Sequence, residues 1–580
     1  MKLIEALELV RQDVSDGASP FRVSLVCSFT PAHLQTFLHA YLRHELPTSS
    51  IAITPGLYGD FWGTLARVEN ESPDAAVLLL EWSDLDPRLG LRSLGLWTPA
   101  ALDEILINAK ARLRQLAETL QRLTAAGVPA AVSFPTLPLP PLSYTPTWRA
   151  SSFELAMRSE LAGAVLRVAQ LRNVGVVNAQ RLEQLSPLAH RFDIKSELAS
   201  GFPYKLPHAS TLASLVARLV QPPPPKKGLI TDLDDTLWSG ILGEVGADGV
   251  SWDLEHHSFM HAAYQKMLHA LSEAGVLLGV ASKNDAALAN VALSRGDMIL
   301  PRKVVFPVEA HWGPKSESVG KILKAWNIGA DAVVFIDDSP MELAEVQAAY
   351  PQVTCLPFPK DDPHAIAELL STLRDLFGKS FLSEEDAIRR DSILQAQSFV
   401  EETAGHGEVS EEFLKAAEAE ITLSFAKEPL DPRALELLNK TNQFNLNGRR
   451  YTEKEWLQLV HDPAAILLIV SYKDKYGPLG KIAVLAGRLT GRVLQVEAWV
   501  MSCRAFSRRI EHRCLEELFE RFQLEEIVCD FTPTAKNGPT RDFLTDILGH
   551  KPASPSHLSR ELFATNRRAT FHQILELTNG

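Results

Sequence analysis

Short apolar segments alternate with helical patterns along most of this chain, and this alternation constrains the fold more than any other feature. In the middle of the chain the apolar segments are Leu229–Thr231, Val276–Val280, Val304–Phe306, Val333–Ile336 and Val353–Leu356. Helical patterns lie between them, at 258–273, 285–294, 316–327 and 340–349. The order predicts a doubly wound parallel sheet, and such sheets bind ligands at the carboxyl ends of their strands.

The same alternation occurs in two further regions, so we expect a multidomain α/β protein. The predicted domains are 1–220, 228–377 and 431–580. A run of four prolines in the segment 221–227 predicts a stiff linker between the first two domains. A charged segment, 378–430, is expected to connect the second and third domains through helices.

Composition excludes several classes of protein. The chain has 58 Lys and Arg residues against 71 Asp and Glu residues, a net charge of −13, which argues against a broadly basic nucleic-acid binder. Its longest apolar runs are far shorter than the roughly 20 residues of a membrane-spanning helix. The amino terminus resembles no signal peptide, and the five cysteines show no CxxC spacing. We expect a reduced, cytoplasmic protein without membrane or nucleic-acid partners.

Carboxylates follow two of the predicted strands in the middle domain. One strand ends in Asp232-x-Asp234-x-Thr236, and another ends in Asp337 and Asp338. Carboxylates that converge on one crevice repel each other, and a divalent cation among them removes that repulsion. Since oxygen ligands favour magnesium, the pattern predicts a Mg²⁺ site.

A hydroxyl and an ammonium group are predicted to face the same crevice. Ser282 ends a third strand, and Lys315 begins a helix. Both groups suit a phosphate, and with Asp232 they predict Mg²⁺-assisted phosphoryl transfer to a carboxylate nucleophile. We also place Thr236 and Lys283 among the candidate phosphate ligands, although Lys283 could equally cap a helix or face solvent.

These motifs, in this order, resemble those of the haloacid dehalogenase (HAD) superfamily, whose fold is a Rossmann-like doubly wound sheet. The segments that carry a closer resemblance, to its FkbH-like branch, are Asp232–Gly240, Gly243–Gly246, Ala281–Asn284, Trp312–Glu317 and Phe335–Pro340. In these segments the chain departs from the FkbH-like pattern at Asp235 and Ser339, which replace asparagines.

The resemblance implies specific roles for the candidate residues. Asp232 would be the nucleophile, and Asp234 the general acid and base. Ser282 and Lys315 would bind the phosphoryl group. The implied magnesium ligands are Asp232, Asp234, Asp337 and Asp338.

The C-terminal region resembles the acetyltransferase-like (GNAT-like) domain of FkbH-like proteins, on the segments 440–445 and 502–511. Cys503 would stand between a strand and a helix beside Arg504, where a thiol pKa is lowered. The resemblance implies that Cys503 carries an acyl thioester, with Asn442 and Asn537 lining its pocket. The alternatives are a buried structural cysteine and asparagines that bond their own loops.

The N-terminal domain resembles an SGNH-hydrolase-like domain with a flavodoxin-type sheet, on the segment Arg22–Thr30. Ser28 is its candidate nucleophile. His208 has Lys205, and not an aspartate, three residues before it, and the segment Glu81–Asp84 lacks the asparagine of an oxyanion hole. We therefore expect this domain to be non-catalytic.

The resemblance implies a bifunctional glyceryl transferase and phosphatase. Such an enzyme would take D-1,3-bisphosphoglycerate, a small phosphorylated three-carbon substrate, and remove its phosphate. It would then load glyceryl as a thioester onto a phosphopantetheinylated acyl carrier protein in polyketide or related biosynthesis. The alternatives are a HAD-type phosphatase for another small phosphorylated metabolite and a non-catalytic component that recruits a carrier protein.

Overall fold

The computed structural model describes residues 1–11, 20–47, 49–92, 99–140, 145–380, 411–475, 477–502 and 505–576, together with Leu382 and Asp386. The chain divides into two compact units. Unit 1 comprises Met1–Pro223 and Thr452–Gln458, and unit 2 comprises Pro224–Tyr451 and Leu459–Gly580.

Unit 1 is built on a five-stranded sheet in which all paired strands run parallel. Its strands are β1 (Pro20–Val26), β2 (Ser50–Pro55), β3 (Ala75–Leu79), β4 (Ala130–Ser133) and β5 (Val174–Val176), in the order β2-β1-β3-β4-β5. Its helices are α1 (Leu3–Arg11), α2 (Ala32–Glu45), α3 (Phe61–Glu71), α4 (Trp82–Leu85), α5 (Leu102–Ala125), α6 (Ser152–Ala169), α7 (Ala179–Leu185), α8 (Ile194–Ser200) and α9 (Leu206–Val220).

Both faces of this sheet are covered. Along β3, Ala75, Val77 and Leu79 belong to one apolar cluster, whereas Ala76 and Leu78 belong to a second cluster. Successive side chains of a strand point to opposite faces, so β3 is buried on both sides. Because both sides are buried, all five residues of this strand are apolar.

The first sheet of unit 2 has the same design. Its strands are β6 (Gly228–Thr231), β7 (Leu277–Ser282), β8 (Val305–Ala310), β9 (Val333–Asp337) and β10 (Thr354–Pro357), all parallel, in the order β10-β9-β6-β7-β8. Its helices are α10 (Leu242–Val245), α11 (Phe259–Glu273), α12 (Ala286–Leu293), α13 (Lys315–Trp326), α14 (Pro340–Ala349) and α15 (Pro363–Phe377). Leu229 and Ile230 of β6 belong to different apolar clusters, so this sheet is also covered on both faces.

The C-terminal part of unit 2 contains a mixed sheet. Its strands are β11 (Glu420–Ser424), β12 (Phe444–Asn445), β13 (Ala465–Asp474), β14 (Gly477–Thr490), β15 (Val493–Met501), β16 (Glu526–Cys529), β17 (Ser556–Ser559) and β18 (Gln573–Glu576), in the order β17-β16-β15-β14-β13-β11-β18 with β12 beside β15. The remaining described helices are α16 (Glu411–Ala416), α17 (Pro432–Lys440), α18 (Glu453–His461), α19 (Ile510–Arg521), α20 (Gly538–Leu548) and α21 (Arg560–Asn566). Of these, α18 belongs mostly to unit 1, as far as Gln458.

The multidomain α/β architecture expected from the sequence is confirmed. The segment 378–430, expected to be helical, contributes strand β11 to the C-terminal sheet, while 387–410 lies outside the described residues. Among the described helices, none combines the length and the apolar character needed to cross a membrane.

Candidate active site

The acidic motifs predicted at two strand ends meet in the structure. β6 and β9 are parallel neighbours, so the residues that follow them lie at the same edge of the sheet. The backbone N–H of Asp232 donates to the carbonyl of Ile336, 2.9 Å away. This bond places the Asp232 side chain next to that of Asp337, and both are buried.

Lys315 lies between the two buried carboxylates. Its Nζ is 2.5 Å from Oδ2 of Asp337 and 3.0 Å from Oδ2 of Asp232. Lys315 is the first residue of α13, and its side chain is buried as well. One ammonium group therefore partly neutralises two carboxylates that are shielded from solvent.

Burial shifts the ionisation of both carboxylates. It raises the pKa of Asp232, while the charge of Lys315 opposes that shift. The pKa of Asp337 is raised by burial and then by the negative charge of Asp232. Burial acts to lower the pKa of Lys315, but the two carboxylates outweigh it and the net shift is upward. The crevice thus holds more negative charge than its own lysine compensates.

Asp232, Asp337 and Asp338 form a candidate cation site. One carboxylate oxygen from each lies within 4.8 Å of the others. Oδ1 of Asp232 is buried and lacks a hydrogen-bond partner among the described residues. A buried oxygen without a donor is costly, and an oxygen-liganded divalent cation would remove that cost. The donor set therefore fits Mg²⁺.

Asp234 is oriented by three donors. Its Oδ1 accepts from the indole N–H of Trp238 and from the backbone N–H of Leu242, each at 3.1 Å. Its Oδ2 accepts from Nδ2 of Asn284 at 3.0 Å. Because Leu242 begins α10, the same bond also places this short helix over the crevice.

Asp235 and Lys360 brace the loop that follows β6. Asp235 has a φ of +51°, a conformation that residues other than glycine seldom adopt. Its Oδ1 accepts from the N–H of Gly240 at 2.9 Å. Nζ of Lys360 lies 2.7 Å from Asp235 and 2.9 Å from Asp338, so one lysine joins the loop to the cation site.

The predicted phosphate ligands differ in their surroundings. Ser282 is buried at the end of β7, and its hydroxyl accepts from Nδ2 of Asn284 at 3.1 Å. Lys283 forms a salt bridge with Glu342 at 2.8 Å. Oγ1 of Thr236 is buried and lacks a hydrogen-bond partner among the described residues. The structure brings Ser282 and Lys315 to the Asp232 side chain, and both act to lower the pKa of that carboxyl against the effect of burial.

Two residues of this site were not selected from the sequence, Asn284 and Lys360. Asn284 follows Ser282 by two residues, a spacing that could have drawn attention to it. Lys360 follows β10, a strand without a recognised motif at its end, so only the fold brings it to Asp338.

Of the three C-terminal candidates, Asn442 and Asn537 lie within the described residues, each in a segment between helices and strands. Cys503 lies outside the described residues, between β15 and α19. The Asn442 side chain accepts from Arg450. The Asn537 side chain donates to the carbonyls of Asn445 and Thr532, 3.0 and 2.9 Å away. Asn442 thus pairs with a side chain eight residues away, and Asn537 bonds one carbonyl five residues away and another 92 residues away.

In unit 1, the side chain of His208 is fully buried. Its Nδ1 lies 3.0 Å from the hydroxyl of Ser186, and its Nε2 lies 3.1 Å from that of Thr136. The Ser28 hydroxyl bonds to Asp84, and that bond opposes the burial that raises the pKa of Asp84 to about 6. Ser28 and His208 therefore each bond to other side chains.

Comparisons with known proteins add one finding. No protein-family model matches the chain, and no curated protein matches it. The chain is similar to a solved structure, the N-terminal part of the protein BF1531 from Bacteroides fragilis, which contains a phosphatase domain and is complexed with Mg. The two chains are 20% identical with a TM-score of 0.54, over 66% of this chain and 100% of the other. This chain therefore shares its fold with that protein over the matched part.

Proposed function

We propose that this chain is a Mg²⁺-dependent phosphatase of the HAD type, with Asp232 as its nucleophile. The observation that carries the proposal is the buried, unpartnered Oδ1 of Asp232, which lies in a cluster with Asp337 and Asp338. The shared fold supports it, because the protein of that fold named above contains a phosphatase domain and was complexed with Mg.

In this proposal Asp232 is the nucleophile and Asp234 moves the protons. A carboxylate oxygen of Asp232 attacks phosphorus, and the bond between phosphorus and the leaving-group oxygen breaks. Asp234 gives its proton to that oxygen. Water then attacks phosphorus of the aspartyl-phosphate, Asp234 takes the proton of that water, and phosphate leaves with Asp232 restored.

Positive charge must balance the phosphoryl group during both steps. Lys315 is already held beside Asp232 and can follow the charge as it moves onto the phosphoryl oxygens. Asp232, Asp337 and Asp338 would hold Mg²⁺, which supplies Lewis-acid stabilisation of those oxygens when bound. Asn284 keeps Asp234 and Ser282 at a fixed separation, since it bonds to both.

Phosphate release from a small phosphate ester tests the proposal. The wild-type protein should release phosphate only with Mg²⁺, and Asp232→Asn should lower the rate by about a thousandfold or more. Asp297→Asn, at an exposed residue paired with Arg295, is the matched control and should keep the wild-type rate. Equal rates for Asp232→Asn and the wild type would refute the proposal.

A finer proposal follows from the FkbH-like motifs: the chain transfers glyceryl from D-1,3-bisphosphoglycerate through Cys503 to an acyl carrier protein. Its support is the sequence around residues 232–240, 312–317 and 502–511. Intact-protein mass spectrometry should detect a Mg²⁺-dependent glyceryl adduct on the carrier, and Cys503→Ala should remove it. Phosphate release without any glyceryl adduct on the carrier would contradict glyceryl transfer and support phosphatase activity alone.

A non-catalytic role in recruiting a carrier protein is the remaining candidate. In that case the cellular phenotype of the gene should survive Asp232→Asn, since this change leaves the outer surface of the protein unaltered.

A further inference from the structure

Three large apolar side chains are exposed beside the crevice. Ile241, Trp312 and Met341 expose 44%, 74% and 71% of their surface, and we refer to them as the apolar rim. They follow β6, β8 and β9 respectively, so each stands at the carboxyl edge of the sheet. Scattered exposed apolar residues are ordinary, but three around one crevice suggest a ligand surface.

Contacts on both sides of Ile241 and Met341 hold them at the mouth. The N–H groups of Gly240 and Leu242, which flank Ile241, donate to Asp235 and Asp234 at 2.9 and 3.1 Å. Met341 lies two residues after Ser339, whose N–H donates to Asp337 at 2.9 Å, and directly before Glu342, which pairs with Lys283.

Trp312 is held in the same way. The N–H of His311 donates to the carbonyl of Ser282 at 3.1 Å. Lys315, three residues beyond Trp312, reaches Asp232. The indole ring therefore stands between two contacts to the phosphoryl-binding residues while most of its surface faces solvent.

Lys315 inside the crevice and the two lysines at its mouth, Lys283 and Lys360, are already paired with carboxylates. Lys283 binds Glu342 at 2.8 Å, and Lys315 binds Asp337 at 2.5 Å. Lys360 binds Asp235 at 2.7 Å and also Asp338. A second phosphate on the substrate would have to displace one of these carboxylates, whereas an apolar group would meet uncovered apolar surface.

We infer that the substrate is a monophosphate whose leaving group carries an apolar body, which packs against Ile241, Trp312 and Met341. This inference rests on the proposed phosphatase function and specifies its substrate class. It favours such monophosphates over a three-carbon bisphosphate.

The test compares phenylpropyl phosphate, glycerol phosphate and a bisphosphoglycerate with Mg²⁺ present. The first two have alcohol leaving groups of similar basicity, so a difference in kcat/KM reports binding of the body. The wild type should prefer phenylpropyl phosphate by about tenfold or more. Trp312→Ala should remove the preference by raising KM for phenylpropyl phosphate, and Trp312→Phe should keep most of the preference. Val291→Ala, which alters an exposed apolar residue of α12, should leave kcat/KM for all three substrates unchanged.

Two results would overturn the inference: a wild-type enzyme that prefers glycerol phosphate or the bisphosphate, or Trp312→Ala lowering kcat/KM equally for all three. If no substrate releases phosphate, the proposed function fails. The affinity of the protein for phenylpropylphosphonate, measured by isothermal titration calorimetry, then tests separately whether the apolar rim binds an apolar body. Binding that is tighter than that of methylphosphonate and depends on Trp312 supports it, and equal binding refutes it.

Discussion

Nζ of Lys315 lies 2.5 Å from Oδ2 of Asp337, and neither side chain is appreciably exposed to solvent. The same ammonium group also contacts Asp232. Three ionisable groups thus share one buried crevice, and the loss of the lysine would leave two carboxylates facing each other. Buried charges that lose their partner destabilise proteins more than exposed ones do.

Lys315→Met should therefore destabilise the protein by about 3 kcal/mol in Mg²⁺-free buffer. The double variant Lys315→Met with Asp337→Asn should recover much of this loss, because it removes one of the two repelling charges. Differential scanning calorimetry measures both effects. Lys321→Met, which removes an exposed lysine from the same helix, is the control and should cost less than about 1 kcal/mol. If Lys315→Met and Lys321→Met unfold at the same temperature, the buried lysine does not stabilise the protein.

Magnesium should stabilise the wild-type protein. A ligand that binds only the folded state adds about 2.7 kcal/mol at a concentration 100 times its dissociation constant. The expected result is a melting temperature that rises with Mg²⁺ concentration, measured by scanning calorimetry after chelation. Asp337→Asn should abolish the rise, whereas Asp297→Asn should keep it. A rise that persists in Asp337→Asn would place the cation elsewhere.

Asn284→Ala should lower kcat by about ten- to a hundredfold with little change in KM. Its amide holds both Asp234, the proposed general acid, and Ser282, and small displacements of a general acid are costly. Asn284→Asp should lose as much, because a carboxylate replaces the donor that faces Asp234. Asn290→Ala, at an exposed position of α12, should retain the wild-type kinetics. An effect on KM alone would point to substrate binding instead.

The sequence predicts the strands and their chemistry more completely than the contacts between loops. β6 and β9 could be recognised because apolar runs end in Asp232 and Asp337, and a parallel sheet places such ends at one edge. Lys360 could not be found in this way, since its partners Asp235 and Asp338 are reached only across the folded sheet.

His208 illustrates the same limit in unit 1. The residue three positions before it is Lys205 and not the aspartate of a hydrolase, and its ring bonds Thr136, which is 72 residues away along the chain. Sequence spacing does not determine which distant side chain meets a buried histidine. Local periodicity, by contrast, is fixed by backbone geometry, so the predicted strands Leu229–Thr231 and Val333–Ile336 differ from β6 and β9 by one residue each.

The buried carboxylate of Glu81 should make the stability of unit 1 depend on pH. Oε1 of Glu81 accepts from the hydroxyls of Thr136 and Tyr204 at 2.7 and 2.8 Å, and Oε2 accepts from the N–H of Leu137 at 3.3 Å. Burial outweighs these hydrogen bonds and raises the pKa of Glu81 from 4.5 to about 7. The folded state therefore holds a proton that the unfolded state releases near pH 4.5.

The sign of the effect follows from this raised pKa. The stability associated with the protonated carboxyl is fully present below about pH 4.5, and it is lost as the pH rises to about 7. The loss amounts to about 3 kcal/mol. Glu81→Gln, which resembles the protonated acid, should not show it. The free energy of unfolding of the wild type minus that of Glu81→Gln, from urea denaturation, should therefore fall across this range.

The difference between the two proteins isolates Glu81 from its titrating neighbours. Burial raises the pKa of Asp84 to about 6 and lowers that of His208 to about 3, and both residues are present in each protein. Glu118→Gln, at an exposed position of α5, provides the matched control and should show the pH dependence of the wild type. If the wild type and Glu81→Gln keep a constant difference from pH 4.5 to pH 7.5, then Glu81 is ionised in the folded protein throughout that range, because its hydrogen bonds outweigh burial.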